Sequence, residues 1–199
     1  MFIKDGNFIY FIGWCAYNLF YKIFHNIKVE GLEKLPQKGG YIIASNHISA
    51  LDPPAIGSVL PKAIYFMAKR ELFGNPVFSW ILTKVNSIPV NRSGVDIQAL
   101  RGARRVLKGG KTLLIFPQGG RRSGLPQPDK AKGGLSMLAF HEQVPVVPCA
   151  IISPKNVKEA KGITIKFSDP VYPSGKGDKS DYEAFSSEVI GRIREMLGS

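Results

Sequence analysis

Histidine and cysteine are scarce in this chain, three and two among 199 residues. Cys15 and Cys149 lie far apart and form no CxxC. That excludes a disulfide scaffold or a thiolate zinc site and fits a reducing, cytoplasmic compartment. His25, His47 and His141 are too few to supply a metal centre, so none is expected. Acidic residues are also few, 15 against 27 Lys and Arg, for a net charge of +12. Long apolar runs are missing as well. The most apolar stretch, FIYFIGWCAYNLFYKIF at 8–24, makes a helix of only about 25 Å, short of the roughly 30 Å hydrocarbon core. No basic n-region or small-x-small site accompanies it, which argues against a cleaved signal peptide. No internal repeat is present, and no linker is long enough to split residues 27–199.

What is present supports one sizeable globular domain, since 44% of the residues are hydrophobic. The positive charge is concentrated. From Arg92 to Lys132 there are ten Lys or Arg against two Asp. Such a block fits an anionic partner, and it equally fits a solvated charged face. In the 8–24 helix, Phe8, Ile9, Ile12, Ala16, Leu19 and Ile23 share one side. Tyr10, Trp14, Tyr17 and Tyr21 form a stripe across from it, and Asn7 stands where a cap belongs. Aromatics with a polar tip favour the membrane boundary. Residues 1–26 therefore read as a membrane-associating helical segment lying in one leaflet, and 27–199 as the folded domain. A core helix and a tilted span remain the alternatives.

After residue 27, short apolar strands alternate with helices. The strands are expected at 28–30, 41–45, 63–67, 87–90, 112–116, 146–152 and 163–167. Helices are expected near 54–60, 75–85, 95–108, 132–142 and 181–197. Asn75 and Pro76 open one helix, Gly109 and Gly110 close another, and SDYE at 180–183 reads as a capping box. Tyr182, Phe185, Val189, Ile193 and Met196 give the last helix its buried stripe. The fold class is α/β, with a mixed, largely parallel sheet flanked by helices.

SNHISALDPP at 45–54 leaves the strand GGYIIAS. In such sheets, sites gather beyond the carboxyl ends of strands. Residues five apart on a helix point about 140° away from each other, so His47 and Asp52 meet only across a turn. Pro53 favours that turn by pushing Asp52 out of the α region. An imidazole can take the proton of an alcohol, and a carboxylate on its other nitrogen fixes the tautomer. On spacing alone, a histidine capping the next helix beside an unrelated aspartate fits equally well. FPQGGRRSG at 116–124 follows another strand. Gly119 and Gly120 let a ligand approach the backbone, and Arg121 and Arg122 offer forked donors to a phosphate. A Gly-Gly turn with solvated arginines is the alternative.

NHISALD resembles the HxxxxD motif of the glycerolipid acyltransferases, the family that contains 1-acylglycerol-3-phosphate acyltransferase. AKRELF (68–73), IPVNR (88–92), IFPQGGRRSG (115–124) and VPVVP (144–148) resemble further blocks of that family, in its order. The resemblance spans residues 46 to 148. It implies that His47 and Asp52 are catalytic. It implies that Lys69, Arg92, Gln118, Gly119 and Arg121 hold the acceptor phosphate, with Arg122 one place late for the motif arginine. Two positions depart from the family: Gln118 stands where glutamate is usual, and Gly120 where threonine is usual. VPVVP, His141 and Cys149 read as structural.

The implied reaction moves a fatty acyl group from an acyl thioester, acyl-ACP or acyl-CoA, to the free hydroxyl of 1-acyl-glycerol-3-phosphate, forming phosphatidic acid. It implies direct transfer, with no acyl-enzyme on Ser45 or Ser49. No cofactor and no metal are expected. The expected partners are a membrane lipid acceptor, the carrier protein or coenzyme A thioester, and an anionic membrane surface, at the inner face of the cytoplasmic membrane. Nucleic acid is not expected, because 92–132 lacks aromatic interleaving and any zinc-finger or RNA-recognition signature. The alternatives are another acceptor (glycerol 3-phosphate, dihydroxyacetone phosphate or another lysolipid) or a non-catalytic anionic-membrane-binding protein.

Overall fold

The computed structural model describes residues 8–24, 27–121, 125–127, 133–153 and 162–198. Asn7, Arg122 and residue 132 lie outside these, as do the side chains of Tyr17, Tyr21 and Ile23.

Seven strands form one sheet. They are β1 (Ile27–Glu30), β2 (Tyr41–Ser45), β3 (Ile64–Lys69), β4 (Ser87–Val90), β5 (Thr112–Ile115), β6 (Val146–Ile152) and β7 (Ile163–Phe167). Their order is β1-β7-β6-β2-β5-β3-β4. Every pairing is parallel except β6 with β7. The helices are α1 (Phe8–Phe24), α2 (Asp52–Val59), α3 (Pro76–Lys84), α4 (Ile97–Lys108), α5 (Gly134–Glu142) and α6 (Lys179–Gly198). Short 3-10 segments occupy Leu32–Lys34 and Arg70–Gly74. This is the expected α/β class.

The central strands are buried on both sides, which is why they read as unbroken apolar runs. On one face Ile42, Leu113 and Val146 pack with Ala103 and Leu107 of α4, Leu138 of α5 and Val189 of α6. On the other, Ile43, Leu114 and Val147 pack with Ala55 and Ile56 of α2. The expected stripe of α6 holds: Phe185, Val189 and Ile193 are buried, with Tyr182 and Met196 against them.

Three local expectations are corrected. Helix α2 begins at Asp52 rather than 54, with the Ala55 N–H bonded to the Leu51 carbonyl at 3.0 Å. The pre-proline bias against the α region is overridden at Asp52, because both prolines fall in the first turn, where a missing N–H is harmless. The cap of α6 is Asp178 rather than Ser180. The Asp178 carboxylate accepts the Asp181 N–H at 2.9 Å, while Asp181 accepts the Gly177 N–H at 2.8 Å. Third, the Tyr10 hydroxyl does not reach a membrane boundary. Tyr10 is buried against α2, and its oxygen accepts the Ile64 N–H at 3.1 Å. Phe8, Ile12 and Leu19 on the other side of α1 are exposed. No described helix is long and apolar enough to cross a membrane.

Candidate active site

Four chain segments leave the carboxyl edge of adjacent strands β2, β5, β3 and β4, and each carries one of the motifs. From β2 the chain passes through Asn46 to His47. The Asn46 amide sits between β2 and β6, donating to the Ile151 carbonyl at 2.9 Å and accepting the Ile151 N–H at 2.8 Å. A side chain thus continues the ladder one residue past the strand and fixes the backbone beside His47.

His47 and Asp52 meet across a tight turn. Asp52 Oδ2 accepts the Nδ1 proton of His47 at 2.8 Å and the backbone N–H groups of Ile48 and Ser49 at 2.7 and 2.8 Å. The Asp52 N–H closes the turn on the Ser49 carbonyl at 3.2 Å. A carboxylate only accepts, so Nδ1 carries the ring proton and Nε2 is left as an acceptor. Asp52 also stands in the first turn of α2, where a helix favours negative charge. Both side chains are nearly buried, 10% and 4% exposed, so the pair is shielded from bulk water without being closed off.

From β5 the chain turns sharply. The Gly119 N–H donates to the Phe116 carbonyl at 2.9 Å, with Pro117 and Gln118 in the middle of the turn. Proline presets the first middle position, and Gly119 takes φ of 69°, a left-handed geometry that glycine adopts without strain. Gln118 is buried. The Phe116 ring stacks on the His47 imidazole, with centroids 3.9 Å apart and planes 16° from parallel. Phe116 also lines a cavity of about 660 Å³ on the α4–α5 side, together with Met67, Val90, Leu100, Ile115 and Leu138. Arg92 and Gly119 stand in its wall, whereas His47 does not; the Phe116 side chain packs on the α2 side of the sheet.

The phosphate candidates are not all brought together. At about 4.8 Å per strand, the ends of β2 and β4 are about 14 Å apart. Arg92 nevertheless extends back over the β5 turn, where a Cβ on Gly120 would lie 3.9 Å from its Nη1. Lys69, at the end of β3, is half exposed and pairs with Glu71 at 3.2 Å. Arg121 is exposed at the far end of the turn. The basic block also divides. Arg104 donates to Glu142, and Arg101, Arg105 and Lys108 lie exposed on α4, facing away from the sheet.

The Arg92 loop has its own anchor in Asp96. That carboxylate accepts the N–H groups of Ala99 and Asn91 and a donor of Arg70. Those bonds, the two backbone ones first, bring its pKa down to about 2. Elsewhere, burial pushes the Cys149 thiol up to about 12, which leaves it inert. Ser45 is buried, and the Ser49 hydroxyl accepts the Leu51 N–H at 3.2 Å, so neither is set up as a nucleophile. Among the described residues no cluster of His, Cys, Asp and Glu is arranged to hold a metal ion.

The family profile described as Acyltransferase matches residues 26–152, which contain every one of these loops. The chain belongs to the acyltransferase family. Acyltransferase relatives cover nearly its whole length. The 1-acyl-sn-glycerol-3-phosphate acyltransferase of Bacillus subtilis is 34% identical over 85% of this chain and 87% of its own. That of Streptococcus pneumoniae is 27% identical over 90% of this chain and 66% of its own. Among solved structures, the 1-acyl-sn-glycerophosphate acyltransferase of Thermotoga maritima superposes with a TM-score of 0.72 at 29% identity, over 96% of this chain and 78% of that one. The histidine–aspartate turn lies within the matched residues.

Two residues beside His47, Asn46 and Phe116, lie in the quoted motifs but are assigned no role there. Asn46 carried a signal, a polar residue directly beside His47 at the end of an apolar strand. Phe116 carried none, because it reads as the last apolar residue of β5.

Proposed function

We propose that this acyltransferase moves a fatty acyl group from a thioester to the free hydroxyl of 1-acylglycerol-3-phosphate, giving phosphatidic acid. His47 Nε2 takes the hydroxyl proton as the oxygen attacks the thioester carbonyl. The tetrahedral intermediate collapses with cleavage of the C–S bond, and the imidazolium returns its proton to the departing sulfur. Asp52 holds Nδ1–H throughout and offsets the imidazolium charge, a contribution of general-base type worth about 10²–10⁴-fold. Arg92, Gln118 and Gly119 hold the acceptor phosphate, with Lys69 and Arg121 joining once Lys69 exchanges Glu71 for phosphate. The apolar cavity beside Arg92 and Gly119 suits an acyl chain, its volume lying within the usual 300–1,000 Å³ of small-molecule sites.

The observation that carries this reading is the Nδ1-protonated His47 held by Asp52 beside a turn that Arg92 reaches. The relatives named for this acceptor add support for the substrate. The chain acts at the inner face of the cytoplasmic membrane as a peripheral or monotopic protein, with acyl-ACP or acyl-CoA as donor. The test is product analysis with labelled acceptors (lysophosphatidate, glycerol 3-phosphate, dihydroxyacetone phosphate and other lysolipids), each with both thioesters. Labelled phosphatidate from lysophosphatidate alone is the expected result. A preference for another acceptor reassigns the substrate, and no transfer to any of them overturns the reading.

A further inference from the structure

The crossover from β3 to β4 contains two elements that bury nothing. Neither the 3-10 segment Arg70–Gly74 nor α3 has a buried residue. Yet α3 reads PVFSWILTK, and its large apolar side chains face outward: Val77 is 66% exposed, Phe78 58% and Trp80 55%. Leu72 and Ile81 extend the patch. An open groove of about 490 Å³ runs between the two elements, floored by Phe73, Pro76 and Trp80. A crossover helix ordinarily spends its apolar side on the sheet. A contiguous apolar surface of this kind marks an interaction site.

Its position narrows the partner. The segment begins directly after Lys69, at the same sheet edge as His47. Strands β2, β3 and β4 advance in one direction across the sheet, so right-handed crossovers put α2 and α3 on one face. Helix α1 packs on α2, and its exposed Phe8, Ile12 and Leu19 therefore flank the same face. Between residues 69 and 96 there are four cations, Lys69, Arg70, Lys84 and Arg92, and two acids, Glu71 and Asp96, which pair with Lys69 and Arg70. An apolar patch with a cationic border matches an anionic bilayer, where apolar side chains enter the acyl boundary and cations stay with the headgroups. Trp80 is the residue type that favours that depth.

We infer that α3 and the Arg70–Gly74 segment dock on an anionic lipid surface, as a second contact alongside α1, and so bring the carboxyl edge of the sheet to the leaflet that holds the acceptor. This rests on the reading of the acceptor as a membrane lipid. Two contacts on one face fix the tilt of the sheet against the bilayer, which a single helix lying in the leaflet does not.

Trp80 supplies the test, since Trp14 is the only other tryptophan. The full-length Trp14→Phe protein is mixed with phosphatidylglycerol-rich vesicles carrying brominated acyl chains. The expected result is a blue shift of Trp80 emission and quenching by the bromines. Introducing Phe78→Ser with Trp80→Ser lowers vesicle binding at least tenfold in co-sedimentation, with turnover of a short-chain, water-soluble lysophosphatidate kept. Unquenched Trp80 on vesicle-bound protein, or no vesicle binding at all, overturns the inference. So does a concentration-dependent dimer that the serine variant abolishes, which would assign the patch to a second copy. Quenching needs no turnover, so a failure of the acyltransfer reading appears separately, as an inactive protein that still quenches.

Discussion

Asp52 gathers three donors onto one oxygen: the ring of His47 and the two N–H groups of the turn. That makes it at once the folding determinant of the turn and the partner of the imidazole. Asp52→Asn keeps an oxygen for the turn but puts an amide where the ring needs a pure acceptor, so the imidazole loses its enforced tautomer. We expect kcat to fall about 10²–10⁴-fold with KM for the acceptor little changed, measured in steady state. An unchanged kcat would remove Asp52 from the chemistry. Gln118 is a different case. It is buried in the middle of the β5 turn, where the family's glutamate would put a charge. If the side chain positions hydroxyls through its oxygen, Gln118→Glu alters turnover by less than about tenfold, because reach and acceptor are preserved. A gain of several orders of magnitude would show that the glutamine cripples the site.

At the scale of elements, the 91–96 loop sets where Arg92 points, and Asp96 sets the loop. Its carboxylate caps α4, binds the Asn91 N–H and pairs with Arg70. The folded pKa, about 2, lies below the unfolded value near 3.9. The stability it adds is therefore present above about pH 3.9 and is lost as the pH falls through about 2. Thermal unfolding followed from pH 5 to pH 2 should show this loss in the unaltered protein and a smaller one in Asp96→Asn, whose melting temperature starts lower. Equal slopes would assign the acid sensitivity elsewhere. Elements were also where the amino-acid pattern was most legible. The ends of β2, β4, β6 and β7 match expectation, because short apolar runs bounded by Gly, Pro or polar residues leave little choice of register. Asn75 caps α3 as its sequence implies, accepting the N–H groups of Val77 and Phe78. The errors with a clear physical cause fell at helix starts, while β3 runs on to Lys69, two residues past its expected end. At Asp52 a local proline bias yielded to the turn, and at Asp178 an aspartate displaced the serine two residues on.

At the scale of the whole molecule, what was not legible is non-local. The meeting of Phe116 with His47 depends on β5 pairing with β2, which no spacing within either segment encodes. The same holds for Arg92, whose approach to Gly120 crosses β3. Lys69, expected at the phosphate, pairs with Glu71, a neighbour visible in the motif AKRELF itself. Tyr10, one residue of the aromatic stripe of α1, misled for a related reason. Tyr10 has an amphipathic ring that suits a membrane boundary and equally suits a buried backbone N–H, and the sheet supplied the latter. The fold thus sorts one set of basic and aromatic residues into three places: the carboxyl edge of the sheet beside His47, a core, and a bare apolar face.

The account depends on His47 acting as a base on the acceptor, and single-turnover transfer by His47→Ala measures that directly. Purified protein is mixed with labelled lysophosphatidate in vesicles and an excess of acyl thioester, and phosphatidate is followed in time. The predicted result is a rate at least about 10²-fold below the unaltered protein, with the melting temperature and vesicle binding kept. Transfer at an undiminished rate would contradict the mechanism, whatever the resemblance of the fold.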